Sequence, residues 1–177
     1  MILFGVNFNA YFFIITKKFA QAFKMEEVRY YFGIIGIAIL IITCNIYHIF
    51  GSAAKAFQQA AFQVGSIITT TGYATTDFNT WPEISRTILV LLMFIGASPG
   101  STGGGIKTST LFTLFHTIKG AATNTQPHAF HYKIPQEAFY KAAIVTALSS
   151  LVVISGNLCM CVLEPGLPFE DIMLEIT

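Results

Sequence analysis

The sequence predicts an all-α integral membrane protein. Its 177 residues are 54% hydrophobic but only 11% charged, whereas soluble domains carry about 25% charged residues. A run without formal charge at 32–50 is long enough to span a bilayer. Lysine and arginine are concentrated on either side of the central region, and these residues mark cytoplasmic loops. We therefore expect both flanks to be cytoplasmic and the centre external. No basic stripe predicts a nucleic-acid partner.

The first half of the chain divides into a helix end, a charged link and one complete span. Residues 1–15 are apolar but short for a full span, so we interpret them as the end of a preceding transmembrane helix. Residues 16–31 carry several lysines and an arginine and predict a cytoplasmic link. After the span at 32–50, the alanine-rich segment 52–68 contains a lysine and three glutamines. This composition predicts a short helix that enters the membrane without crossing it.

The second half contains a span that is interrupted by glycines. Apolar residues from 86 to 97 stop at SPGSTGGG and resume at 106, so 86–119 is interpreted as one broken helix. Unpaired backbone groups are expensive in lipid, so such a break must be buried in protein or line a water-filled cavity. The remaining segments are a cytoplasmic loop at 121–135, a span at 136–163 and the start of another short helix at 168–177. The predicted complete repeat is 32–120, and 136–177 begins the next.

The loop at 69–75 is the first candidate site. It follows the potassium-channel filter pattern T-V-G-Y-G, whose five places are filled by Thr70, Thr71, Gly72, Tyr73 and Ala74. A dehydrating cation needs a row of backbone carbonyls, and glycine permits the backbone angles that direct them. The C-terminal end of helix 52–68 would direct partial negative charge toward the ion. We expect K⁺ to bind the backbone carbonyls of four of these residues, Thr70, Thr71, Gly72 and Tyr73. An ordinary turn is the alternative.

This order of elements defines the predicted architecture. A span, a re-entrant pore helix and a second span form the pore unit of potassium-type channels, which need four such units around one axis. The sequence therefore predicts a K⁺-channel-like repeat with a broken second span.

The stretch SPGSTGGGIKTST at 98–110 is the second candidate site. A Walker A phosphate loop has lysine directly after its last glycine, but here Ile106 separates Gly105 from Lys107. The preceding apolar segment is also better interpreted as membrane helix than as a strand, so nucleotide binding is disfavoured. Two interpretations stay open. The glycines could form a hinge, since they accommodate kinks, or a gate beneath the filter with the Lys107 charge near the ion path.

The segments TTTGYATTDFNTWP and FIGASPGSTGGGIKTST together resemble the third pore repeat of the Trk/Ktr potassium transporters. GVNFNAYF and MEEVRYY resemble the end of that family's second repeat and the link into the third, and FEDIMLEIT resembles the start of the fourth pore helix. The resemblance implies that Gly72 is the filter glycine. It also implies an intramembrane gate loop with a flanking charge, formed by Ala97, Ser98, Pro99, Gly100, Ser101, Thr102, Gly103, Gly104, Gly105 and Lys107.

The resemblance carries further expectations about the whole protein. Members have four pseudo-symmetric repeats in one polypeptide and take up K⁺, some with Na⁺ or H⁺ as a coupling ion. They usually form homodimers on a cytosolic, nucleotide-binding regulatory subunit. The chain holds one complete repeat and parts of two neighbours, so we expect it to be a fragment of a longer subunit. We expect a multi-pass protein in the lipid bilayer of the cell membrane, here the bacterial inner membrane, without a covalently bound cofactor.

K⁺ uptake through a gated carbonyl filter is the function that the sequence favours, and two other functions are alternatives to it. A non-transporting membrane scaffold or regulatory fragment, in which both loops are merely helix breaks, stays open. A membrane-bound NTPase is disfavoured by the Walker mismatch, and no catalytic set of side chains lies at convincing spacing, so we do not expect an enzyme. Channel-like and ion-coupled (symporter) transport are left open, as is the choice between the Trk-type and Ktr-type subgroups.

Overall fold

A computed structural model of the protein describes residues 1–123, 128–129, 132–133, 135–163, 166 and 172. Its helices are α1 (Phe8–Ile15), α2 (Phe19–Lys24), α3 (Glu26–Phe50), α4 (Ala53–Ile68), α5 (Glu83–Phe94), α6 (Thr108–Ala122) and α7 (Gln136–Leu163). Short 3-10 turns occupy Ile2–Gly5 and Phe78–Thr80. A two-residue antiparallel ladder pairs β1 (His128–Ala129) with β2 (Tyr132–Lys133). The chain forms two compact units, Met1–Gly105 and Ile106–Thr177.

The core of the first unit lies where α3 packs against α4 and α5. Buried positions on α3 recur three or four residues apart, which is the spacing of one helix face: Val28, Tyr31, Ile35, Ala38, Ile39, Ile42 and Ile46. Helix α4 contributes a stripe at four-residue spacing that is 0% exposed, formed by Ala56, Ala60, Val64 and Ile68. Small alanines in such a stripe allow helix backbones to approach closely. The packing therefore fixes α4, and with it the loop that follows.

Helix boundaries around α3 differ from the ranges drawn from the sequence. Helix α3 begins at Glu26, within the segment expected to be a link. Glu26 and Glu27 occupy its first turn, where acidic side chains interact favourably with the helix dipole. It ends at Gly51, whose φ is +62°, a left-handed conformation that glycine adopts at no steric cost. Residues 1–15 likewise form a 3-10 turn and a separate helix.

Helix α4 has the length of a re-entrant helix. It contains 16 residues, which at about 1.5 Å per residue falls short of a hydrocarbon core of roughly 30 Å. A polar contact fixes its neighbour α5, because Asn45 Nδ2 on α3 donates to Ser85 Oγ at 2.9 Å. Ser85 is 0% exposed, so this hydrogen bond sets the α3–α5 register inside the core.

The second unit contains α6 and α7. Helix α7 has 28 residues, and only Ala142 and Asn157 of its described residues are buried. Helices α3 and α7 are the two helices of the described chain that are long and apolar enough to cross a membrane. The exposed apolar surface of α7 is of the kind that lipid or another protein segment covers. The expected short helix at 168–177 lies outside the described residues, apart from Ile172.

Candidate functional site

The predicted filter begins in a Schellman motif that ends α4. The Thr71 N–H donates to the Ser66 carbonyl at 2.8 Å, and the Thr70 N–H donates to the Ile67 carbonyl at 2.9 Å. The left-handed position of this motif is usually glycine, but here it is Thr70, with a φ of +52°. A left-handed residue other than glycine costs roughly 1–2 kcal/mol. Such strain persists only where the surroundings impose it, and it clusters at functional sites.

The carbonyl groups of the predicted filter segment lie in exposed residues and accept no hydrogen bond from the described chain. In the described part of the chain, no hydrogen bond ends on the carbonyl oxygens of Thr70, Thr71, Gly72 or Tyr73, and all four residues are exposed. The φ of Gly72 is +77°, so positive φ angles alternate along the segment at Thr70 and Gly72. A regular strand would direct successive carbonyls to opposite sides, and the two left-handed residues break that pattern.

Threonine hydroxyls attach the filter segment to α4. Thr69 Oγ1 donates to the Gly65 carbonyl at 2.6 Å and lies 2.7 Å from Thr71 Oγ1. At the other end of the loop, Thr75 Oγ1 donates to Gln59 Oε1 at 2.5 Å. Both ends of the segment are therefore fixed to the same helix, α4, and the carbonyls between them lie in exposed residues.

Backbone contacts between its two ends fold the glycine-rich loop between α5 and α6 into a compact turn. A Cβ on Gly96 would lie 2.1 Å from the Gly104 carbonyl oxygen, and a Cβ on Gly103 would lie 2.5 Å from the Ala97 Cβ. A Cβ on Gly105, whose φ is +73°, would lie 3.0 Å from the Gly96 Cα. Ala97 is 0% exposed. The loop is therefore a close-packed structure in which backbone lies directly against backbone.

The glycine loop also contacts the predicted filter segment. The Gly104 N–H donates to Thr70 Oγ1 at 3.0 Å, while Thr70 Oγ1 itself donates to the Thr69 carbonyl at 2.8 Å. A Cβ on Gly104 would lie 3.4 Å from the Thr70 Cγ2. Thr70, the left-handed threonine at the start of the predicted filter, is thus a residue that the glycine loop contacts.

Residues 4–8 hold the other side of the glycine loop. The Ser98 N–H donates to the Gly5 carbonyl at 3.0 Å, and the Phe8 N–H donates to the Gly100 carbonyl at 3.0 Å. Thr102 Oγ1 donates to the Phe4 carbonyl at 3.2 Å. These hydrogen bonds attach one side of the loop to residues 4–8. The Gly104–Thr70 bond attaches the other side to the predicted filter segment.

The geometry also bears on the phosphate-loop interpretation. A phosphate cradle needs backbone N–H groups that point at the ligand, but the N–H groups of Ser98 and Gly104 donate within the protein. The segment before the loop is helix α5 rather than a strand. The nucleotide interpretation, already disfavoured by Ile106, has no support in this arrangement.

The predicted site residues are partly brought together. Thr70 of the filter meets Gly104 of the loop, whereas Tyr73 extends outward with 69% of its surface exposed. Ala74 is also exposed, and Pro99 and Ser101 are half-buried. Lys107 lies in the second unit and directly precedes α6.

Sequence reasoning did not identify Gly96 or the residues that support the loop. Gly96 directly precedes the predicted loop. Glycine is required there because the backbone of Gly104, eight positions away, leaves no room for a side chain. Asn7 carried a local signal, since asparagine before an apolar run is a typical helix N-cap, and its side chain does accept from the Asn9 N–H at 2.9 Å. Contacts between residues distant in sequence carry no such signal.

Comparisons with known proteins agree with this fold. The family model described as "TrkH: Cation transport protein" matches residues 11–165. The chain is 30% identical over 118 residues to the Trk system potassium uptake protein TrkH of Escherichia coli K12, covering 65% of this chain and 24% of that protein. It is 33% identical over 112 residues to the Ktr system potassium uptake protein D of Bacillus subtilis 168, covering 61% and 23%.

The structural comparison covers more of the chain. The crystal structure of the potassium transporter TrkH from Vibrio parahaemolyticus matches with a TM-score of 0.80 at 26% identity, over 91% of this chain and 37% of that one. This match confirms the prediction of an all-α membrane-transporter fold. The chain covers about a quarter of the length of its curated relatives. On the family match over most of its length, this chain belongs to the TrkH family of cation transport proteins.

Proposed function

We propose that the chain contributes one pore repeat, with parts of two neighbouring repeats, to a K⁺ uptake transporter of the cell membrane. The observation that carries the proposal is the exposed row of carbonyls at residues 70–73, which accept no hydrogen bond in the described chain. They follow a 16-residue helix whose C-terminal part is buried, as a pore helix precedes a filter. The names of the relatives, which are potassium uptake proteins, agree with K⁺ as the transported ion.

The filter would act by replacing the water around K⁺ with carbonyl oxygens. Thr69 and Thr71 use their hydroxyls on each other and on α4, so the backbone carbonyls are the groups left to coordinate the ion. The C-terminal end of α4 adds partial negative charge there. The strain at Thr70 is maintained by two Schellman hydrogen bonds, which keeps the carbonyls preorganised before an ion arrives.

The glycine loop, residues 97–105, would act as a gate on the inner side of this filter. Its Gly104 N–H donates to Thr70, the first residue of the proposed filter, and this contact supports a position for the loop next to the end of the ion path. Lys107 directly precedes α6, and we take it as the charge that flanks the gate along the chain. Displacement of the loop would be required for flux.

The wider assembly follows from family membership as part of the proposal. Four repeats would surround one pore in the full-length subunit, which would form a homodimer with a cytosolic nucleotide-binding regulatory subunit. The protein would be a multi-pass protein of the bacterial inner membrane, with K⁺ as the transported ion and Na⁺ or H⁺ as a possible coupling ion. A scaffold without transport is the competing function.

Uptake in cells tests transport against the scaffold function. The full-length protein would be expressed with its regulator in a bacterial strain that lacks other K⁺ uptake, and growth and ⁸⁶Rb⁺ uptake would be measured at low external K⁺. We expect both to be restored above the empty-vector level. Membrane-inserted protein at normal abundance without uptake would instead favour the scaffold.

A matched pair of substitutions at Thr70 tests the gate. Valine has the β-branched shape of threonine without its hydroxyl, so Thr70→Val keeps the backbone strain and removes the acceptor of the Gly104 N–H. We expect a several-fold higher maximal Rb⁺ uptake rate, because one net hydrogen bond of about 1 kcal/mol shifts a two-state equilibrium roughly fivefold. Thr70→Ser keeps the hydroxyl and should behave like the parent protein. Equal uptake rates in the two variants would show that the Thr70 hydroxyl does not contribute to gating.

A further inference from the structure

The segment that holds the glycine loop is itself held by α3. Asn7 Nδ2 donates to Glu27 Oε2 at 2.9 Å, and Tyr31 Oη donates to the Ile2 carbonyl at 2.9 Å. Glu27 and Tyr31 lie four residues apart on α3, so they project from the same face of the helix. One face of α3 therefore holds both ends of the segment Ile2–Asn7.

Packing makes this attachment rigid. Tyr31 is 0% exposed, and a Cβ on Gly5 would lie 2.1 Å from its Oη. The segment thus passes directly over the tyrosine hydroxyl with no room for a side chain. Asn7 is 7% exposed, and besides binding Glu27 its Oδ1 caps the start of α1 through the Asn9 N–H. The side chain is fixed at both of its polar atoms.

The same short segment supports the loop on its other side. Phe4 and Gly5 present their carbonyls to Thr102 and Ser98, and Phe8 donates its N–H to the Gly100 carbonyl. Gly100 also lies against Asn7, since a Cβ there would be 3.3 Å from the Asn7 Oδ1. A continuous series of contacts therefore runs from α3, through residues 2–8, to the glycine loop and then to Thr70.

We propose that Glu27, Tyr31 and Asn7 are positioning residues for the gate, and that they hold the glycine loop across the ion path through the segment Ile2–Phe8. The proposal rests on the gate function proposed above for the loop. It adds that the restraint comes from the first two turns of α3, outside the filter and the loop. Because these turns directly follow residues 16–25 in the chain, a displacement of residues 16–25 would be transmitted to the loop.

The mechanism predicts a specific kinetic signature. Loosening the segment destabilises the closed arrangement of the loop but leaves the filter carbonyls on α4 unchanged. The maximal uptake rate should therefore rise while the ratio of K⁺ to Na⁺ transport stays constant. A purely structural role would instead reduce the amount of folded protein without changing the rate per transporter.

The test uses the full-length protein with its regulator in a strain that lacks other K⁺ uptake. Tyr31→Phe removes only the hydroxyl that binds the Ile2 carbonyl, and Glu27→Leu removes the acceptor for Asn7. We expect each to raise the maximal Rb⁺ uptake rate per membrane-inserted molecule by roughly fivefold, the equivalent of one net hydrogen bond, with unchanged K⁺ over Na⁺ selectivity. Glu27→Gln retains an acceptor oxygen and should restore the parental rate.

Two further variants make the result decisive. Tyr47→Phe is the matched control, since Tyr47 is on the same helix with 51% of its surface exposed, and it should not change the rate. A variant shortened at Gly103–Gly105 reports on the gate itself. If that variant raises flux while Tyr31→Phe and Glu27→Leu do not, the positioning role is overturned and the gate stands. If none of the three raises flux, both the gate and the positioning role are overturned.

Discussion

Substitution of Gly72 by serine in the full-length protein is expected to abolish most of the preference for K⁺ over Na⁺. Gly72 has a φ of +77°, a conformation that a residue with a side chain adopts at a cost of roughly 1–2 kcal/mol. Serine would relax toward negative φ and rotate the adjacent carbonyls away from the ion. The carbonyls of neighbouring repeats would then coordinate a cation unequally. The measurement is the ratio of Rb⁺ to Na⁺ uptake at equal membrane abundance.

Gly51 supplies a matched control for this substitution. It is also left-handed, with a φ of +62°, and a Cβ added to either glycine would have no atom within 4 Å. Gly51→Ser therefore introduces a similar backbone strain at the end of α3, away from the filter. We expect it to lower stability but to preserve selectivity. A loss of selectivity in both variants, or in neither, would refute the assignment of Gly72 to the filter.

Substitution of Gly96 by alanine is expected to displace the glycine loop and raise flux. The added methyl would lie 2.1 Å from the Gly104 carbonyl oxygen and 2.9 Å from the Gly105 carbonyl carbon, and backbone cannot move aside as a side chain can. Overpacking of this kind costs about 1–3 kcal/mol. The Gly104 end of the loop must move, which breaks its bond to Thr70. We expect a several-fold rise in Rb⁺ uptake per inserted molecule.

The control for Gly96→Ala is Gly36→Ala, a helical position on α3 where an added Cβ meets no atom within 4 Å. Membrane abundance and the melting temperature in detergent should be measured for both, so that a folding defect is separated from a change in rate. Gly36→Ala should leave uptake unchanged. If Gly96→Ala is inserted normally and transports at the parental rate, the loop does not control flux.

Local sequence features predicted the filter loop and the break in the helix. The T-x-G-Y pattern after an alanine-rich segment predicted a filter at residues 70–74. The structure shows the helix end at Ile68 and the positive φ of Gly72, which are features encoded within a few residues. The position of Ile106 between Gly105 and Lys107 disfavoured a Walker loop, because that motif is also defined within a few residues. The all-α membrane fold followed from composition and long apolar runs, and it is confirmed by the match to TrkH.

Contacts between residues that are distant in the chain could not be predicted from the sequence. The left-handed conformation of Thr70 contradicts the usual preference for glycine there. The hydrogen bond from the Gly104 N–H to its hydroxyl is a long-range contact that no local pattern encodes. A side chain at position 96 would clash with the Gly104 backbone, and one at position 5 would clash with Tyr31, 26 positions away. The start of α3 at Glu26 was missed because its first residues are charged. Hydrophobic runs indicate where a helix is buried in lipid, but they do not mark where it begins.

The central claim is that the carbonyls of residues 70–73 bind the transported ion, and Rb⁺ located by anomalous diffraction tests it most directly. Crystals of the full-length protein would be grown in Rb⁺ and again in Na⁺. We expect an anomalous peak on the pore axis, bordered by the carbonyl oxygens of Thr70, Thr71, Gly72 and Tyr73, that is absent in Na⁺. An ordered filter segment with no Rb⁺ density against these carbonyls would contradict the account.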